Sequence, residues 1–277
     1  PWRRGLPTRR GVDCAEFFGE ADIALAGFDS TLGSVPTPFA DLAPIERITD
    51  AATRASRTAR EFGLDRRVAR LGRWRVRDVI AHLGGVHRWA ARVVATASMG
   101  GPSHTKSTLD GSDLLDWFDE GARSLIATLA GADPDASCPN FNPGSTATAE
   151  FWIRRQLHET VVHAWDIEAA SAAVTAIDTD VAVDGIDECL DVWVRPRGKQ
   201  TLTGPLTLRT STSEGTLRAW TLHPAARPGR VDINPGTSSQ AAAELSGPAD
   251  ELYLVLWNRR DITHTALTVT GKPGVVD

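Results

Sequence analysis

The chain has 277 residues, 42 % of them apolar and 23 % charged, with a net charge of −5. This profile excludes a disordered chain and leaves room for one large domain or two modest ones. The basic residues are scattered, which speaks against a nucleic-acid surface, and no run reaches the roughly 18 apolar residues a membrane span requires.

The three cysteines, Cys14, Cys138 and Cys189, lie far apart without CxxC spacing. Neither a disulfide framework nor a thiolate zinc site is indicated, and a reducing, cytoplasmic compartment is expected. The Arg-rich start, PWRRGLPTRR, leads into Glu16, Glu20 and Asp22 instead of an apolar core, so it does not read as a secretion signal. Residues 1–43 read as a poorly packed extension.

From Pro44 the signals become helical. Proline suits a first helical position, and Ile45, Ile48, Ala52 and Ala55 recur at helical spacing until Gly63. A second helix is expected from Val76 to Ser98, with Val76, Val79, Ile80, Leu83, Val86, Ala90 and Val94 forming its core-facing stripe. Its Gly84-Gly85 pair lowers helix propensity by about 1 kcal/mol per residue, a loss tolerated where backbones approach closely or a ligand needs room. A third helix spans Ser112 to Ala130. After a loop rich in turn formers comes a fourth, Phe151 to Ala170, whose apolar residues nearly encircle the axis, as in a helix buried within a bundle. A fifth covers Asp180 to Val194.

After Pro196 the pattern changes. Thr201 to Thr210 and Thr216 to Leu222 alternate like half-buried strands, Ala241 to Trp257 reads as a helix, and Ala266 to Thr270 as a final strand. The expected fold class is α+β. An antiparallel four-helix bundle domain over residues 44–196 precedes a small α+β domain over residues 197–277.

The chemistry concentrates in the fourth helix. Glu159 and His163 are four residues apart and project from one face. A carboxylate and an imidazole inside an apolar helix need a strong partner, and a divalent metal satisfies both. His158-Glu159 does not make a zinc-protease motif, because the next histidine comes at i+5, rotated about 140° away. The third ligand must come from elsewhere, and His82, mid-helix in apolar surroundings, is the best candidate. Two nitrogens and one carboxylate oxygen leave a coordination position open, as in a catalytic zinc site, although Fe or Ni suits the same donors. Asp166 and Asp78, each one turn from a proposed ligand, are candidates to orient the imidazoles. Against this stands a plainer reading. A helical histidine is more often a hydrogen-bonded core or surface residue, and Glu-His at i, i+4 also occurs as an exposed pair. His87 faces away from His82 and reads as structural or as a pocket wall. His104, His223 and His264 carry no site signal, and the nine Trp read as core or cleft lining.

Trp74 to Ala90 (WRVRDVIAHLGGVHRWA) and Arg154 to Ala170 (RRQLHETVVHAWDIEAA) resemble the two signature helices of mycothiol-dependent maleylpyruvate isomerase-like proteins, within the DinB-like four-helix superfamily. DGIDECL (Asp184 to Leu190), SGPADELYLVLWNRRD (Ser246 to Asp261) and the terminal LTVTG are similar to the rest of that pattern. The resemblance spans about Ala43 to Gly271. It implies metal ligands at His82, Glu159 and His163 and a C-terminal domain similar to sterol carrier proteins that closes the cleft. It also implies an arginine at Arg259, with Arg260 as the neighbouring alternative, that holds an acidic substrate. Asn258 stands where the family more usually has Gly. The implied activity is zinc-dependent cis-trans isomerisation by reversible addition of a low-molecular-weight thiol, mycothiol, to a maleyl-type keto acid. Two other readings use the same residues: a mycothiol S-transferase acting on an electrophile, and a non-catalytic metal- or ligand-binding module.

Overall fold

The computed structural model describes residues 39–102, 107–142, 144–172, 174–195, 202–226, 230–272 and 274–275. Most of the extension expected over residues 1–43 lies outside these, as do Cys14 and His104. The described chain forms two compact units, one ending at Ile177 and the other beginning at Asp178.

The first unit is the four-helix bundle, with α1 (Pro44–Phe62), α2 (Val76–Thr96), α3 (Gly111–Ala130) and α4 (Ala149–Ala170). Local chemistry sets the ends. Pro44 opens α1, and Gly63, at φ 90°, closes it with its N–H on the Ala59 carbonyl at 3.0 Å. The Arg75 N–H donates to Asp78 Oδ2 at 2.8 Å to start α2, and Asp110 accepts from the Gly111 N–H at 2.8 Å to start α3. Helix α1 packs on α4 and α2 packs on α3, with further contact between α2 and α4. The α1 face against its neighbours is largely alanine (Ala51, Ala52, Ala55, Ala59), so its axis can come close. Ile80, Leu83, Phe118, Leu125, Trp152, Leu157 and Ile167 fill the centre. Each fully buried Leu, Ile or Phe contributes about 1.5–3 kcal/mol.

Gly84 answers the packing question that its sequence raises. A Cβ there would overlap the indole of Trp117 from α3, so the missing side chain makes room for a ring. Arg88 stacks over that indole at 3.9 Å and donates to the Trp117 carbonyl at 2.6 Å.

The second unit begins with α5 (Thr179–Cys189), started by Asp178, whose side chain accepts from the N–H groups of Asp180 and Val181. A single π-helical turn, Leu190–Val194, follows. Strands β1 (Leu206–Ser211), β2 (Leu217–Pro224), β3 (Val231–Pro235), β4 (Ala243–Ser246) and β5 (Thr268–Gly271) form one sheet in the order β3-β2-β1-β4-β5. Only the β1–β4 pair is parallel. Leu206, Leu208, Trp220, Leu222, Ile233 and Leu245 share a buried face through this register. Asp187 on α5 accepts from Trp220 Nε1 at 2.5 Å and from Arg218 at 2.8 Å, fixing the helix to β2.

Two expectations differ from this structure. The helix expected over Ala241 to Trp257 is only α6 (Ala249–Leu256). Its supposed first turns are β4, which gains a parallel partner in β1, and Gly247 at φ 151° with Pro248 breaks the chain between them. Helix α5 packs with α6, and the units divide at residues 177/178 rather than 196/197. No described helix is long and apolar enough to cross a membrane.

Candidate metal centre

Helix α4 is buried on every side, so its polar residues find partners in protein rather than in water. Glu159 and His163 stand one turn apart on it, and His82 comes from the middle of α2. His82 Nε2 lies 3.1 Å from Glu159 Oε1, and His163 Nε2 lies 3.3 Å from the same oxygen. The two imidazole rings meet edge to face at 5.1 Å. The three side chains offer ligand atoms all within 4.8 Å of one another, the one such His/Cys/Asp/Glu group among the described residues. His82, Glu159 and His163 are 0 %, 7 % and 1 % exposed, which rules out the exposed i, i+4 pair.

The carboxylate has a second neighbour that the sequence reading missed. Arg155, one turn before Glu159 and 3 % exposed, donates from Nη2 to Glu159 Oε2 at 3.0 Å. On the far side of the second imidazole, His163 Nδ1–H donates to the buried Asp166 Oδ2 at 2.9 Å. Burial alone would raise the Glu159 carboxyl, but the close imidazoles of His163 and His82 and the charge of Arg155 hold it well below the usual carboxylate range. Burial pulls the His163 imidazole down, and Asp166 and Glu159 outweigh it, leaving the ring above its ordinary value.

These residues fit a divalent ion. With Nδ1–H given to Asp166, a neutral His163 turns a lone pair toward Glu159 Oε1, and this nitrogen lacks a hydrogen-bond partner. Its 3.3 Å approach to the oxygen is close enough for charge attraction without hydrogen-bond geometry. Two acceptors face each other there, and a cation between them resolves the conflict. The spacing agrees, since ligand atoms at about 2.0–2.1 Å from a tetrahedral zinc sit about 3.3–3.4 Å apart. The Asp166–His163 pair is the carboxylate–imidazole arrangement that fixes a ligand's tautomer.

The other candidates fall elsewhere. Asp78 does not orient His82; it accepts the Arg75 N–H as the acid that starts α2. His87 is fully buried against Phe118, with Nε2 at 3.0 Å from Thr160 Oγ1. Burial pushes its imidazole down to about 3, helped by the nearby charges of Arg88, His163 and His82 and opposed by Glu159. His158 is buried, and His264 is exposed. Trp74 stands 5.3 Å from the His82 ring, while Trp89 and Trp152 pack edge to face at 5.0 Å in the core. Arg259 belongs to the second unit, where it is 6 % exposed and donates from Nη1 to the Trp257 carbonyl at 2.9 Å. Asn258 before it has φ 56°, the left-handed conformation that Gly and Asn adopt most readily.

Residues 45–168 match the domain model described as mycothiol maleylpyruvate isomerase N-terminal domain, and residues 180–277 match the C-terminal domain model of the same family. Two crystal structures of mycothiol-dependent maleylpyruvate isomerase, one of them a His-to-Ala mutant, share the fold with TM-scores of 0.58 and 0.56. Each is 14 % identical and covers 87 % of this chain and 99 % of its own. No curated protein sequence matches significantly.

Proposed function

This chain belongs to the mycothiol maleylpyruvate isomerase family, and from that membership we infer a metal-dependent, thiol-dependent isomerase of cis-unsaturated keto acids. The observation that carries the reading is the convergence of His82, Glu159 and His163, all buried, with His163 Nε2 lacking a hydrogen-bond partner among the described residues. We assign these three as ligands of one divalent ion, with zinc the best match to two imidazoles and a carboxylate. Such an ion, when bound, lowers the pKa of a coordinated thiol so that thiolate forms near neutral pH.

The chain's own residues do the rest. Asp166 holds the Nδ1 proton of His163 and keeps Nε2 free of it. The apolar packing around α2 and α4 excludes bulk water, which strengthens every charge interaction inside. Arg259 is proposed to hold a substrate carboxylate, because its planar guanidinium matches a carboxylate with two parallel hydrogen bonds. In the reaction, the thiolate of mycothiol forms a C–S bond to the cis double bond, and the alkene electron pair moves into the adjacent carbonyl. Rotation about the resulting single bond follows. Elimination breaks the same C–S bond, restores the double bond as trans and returns the thiolate.

The test is elemental analysis of the purified full chain, followed by product analysis with maleylpyruvate and mycothiol. About one equivalent of zinc and thiol-dependent formation of the trans isomer are expected. His82→Ala and Glu159→Ala should lose more than roughly 100-fold in rate, because even residues behind metal ligands cost about 10–100-fold when removed. A stable thiol adduct in place of the isomer would replace this reading with an S-transferase. A bound metal with no thiol-dependent turnover would leave a binding module.

A further inference from the structure

We infer that Arg155 is a positioning residue for the metal centre, holding one oxygen of Glu159 so that the other alone is left to serve as a ligand. The inference rests on the three-ligand reading above. Glu159 Oε1 lies toward both imidazoles, at 3.1 and 3.3 Å, while Oε2 receives the Arg155 guanidinium at 3.0 Å. The two oxygens therefore have separate partners. A carboxylate beside a divalent ion can supply one oxygen or both, and a charge-assisted hydrogen bond on one of them decides between these. A cation in an apolar interior is costly unless paired, and Glu159, one turn further along α4, supplies such a pairing at 3.0 Å. A guanidinium is also better suited than an ammonium, since it is planar, always charged and weakly hydrated.

Two consequences follow. With one oxygen, the protein contributes three ligand atoms and a tetrahedral ion keeps one position for a thiol; with two, that position is filled. The Arg155 charge also offsets that of Glu159, so the ion retains more of its own charge for a thiolate.

The test uses cobalt(II) as the probe in the full-length protein stripped of its native metal, because its visible band is strong when four-coordinate and weak when five-coordinate. Wild type is expected to show the four-coordinate band. Arg155→Met is expected to lose most of that intensity, as Glu159 becomes bidentate, and to bind the ion with an affinity altered about tenfold or more. Arg155→Gln, whose amide ends two bonds short of the guanidinium nitrogens, should behave as Arg155→Met does and decides the matter if the Met variant does not fold. Wild-type intensity and affinity in a folded neutral variant would overturn the role of Arg155 while leaving the three-ligand site intact. Failure of wild type to bind cobalt at all would overturn the site, and the inference with it.

Discussion

His87 shows how one buried imidazole ties stability to pH. Its ring is fully buried, bonded to Thr160 Oγ1, and titrates near 3 against an ordinary value of 6.5. Between those two values the unfolded chain binds a proton on this ring and the folded chain does not, so stability rises with pH across that window and falls as acid is added. The slope from this one group is about 1.4 kcal/mol per pH unit. His87→Leu should cost about 1 kcal/mol at pH 7 through the lost Thr160 bond, but it removes the acid sensitivity. Denaturant unfolding of metal-free wild type and variant should therefore give a stability difference that shrinks, then reverses, between pH 7 and pH 4.5. A difference constant over that range would show that the imidazole is not held neutral by burial.

At the scale of the elements, the α2–α3 contact turns on a missing side chain. In an unencumbered helix, Gly84→Ala would stabilise by about 1 kcal/mol. Here the new Cβ meets the Trp117 ring, which Arg88 holds by stacking on it and by bonding its backbone carbonyl, so a destabilisation of about 1–3 kcal/mol is expected. The control is the same change in a Trp117→Ala background, where it should become neutral or favourable; equal effects in both backgrounds would dissociate the glycine from the ring. The example also marks what a sequence discloses. Gly84-Gly85 signals close approach without saying to what, because the partner is 33 positions away on another helix. The bundle helices are legible because each carries its own period and its own start and stop residues, such as Pro44, Asp110 and Gly63. Strand β4 is not legible. AELS has the composition of a helix, and only its parallel pairing with β1, from distant sequence, makes it a strand. At the centre, Glu159 and His163 stand out by their spacing on an apolar helix, whereas Arg155 reads as one of two adjacent arginines until its burial and its contact with Oε2 are known.

Across the molecule, the proposed ion links two helices of the first unit. His82 on α2 and Glu159 with His163 on α4 would be tied through it, adding a link to the packing and to the His87–Thr160 hydrogen bond that already join these helices. An ion that binds only the folded state at a free concentration 100 times its Kd stabilises by about 2.7 kcal/mol, which for a unit of this size raises the melting temperature by roughly 5–10 °C. Chelation of the purified full chain should remove that increment, and adding back zinc should restore it. The increment should also depend on pH in one direction. The imidazoles ligate only when Nε2 carries no proton, so binding releases protons and weakens as pH falls. Asp166 and Glu159, by holding the His163 ring above its ordinary value, move that weakening to higher pH than a free imidazole would give. Differential scanning calorimetry of chelated and zinc-loaded protein from pH 8 to pH 5.5 should show the gap closing toward acid. Superimposable melts at every pH would mean that no ion ties α2 to α4.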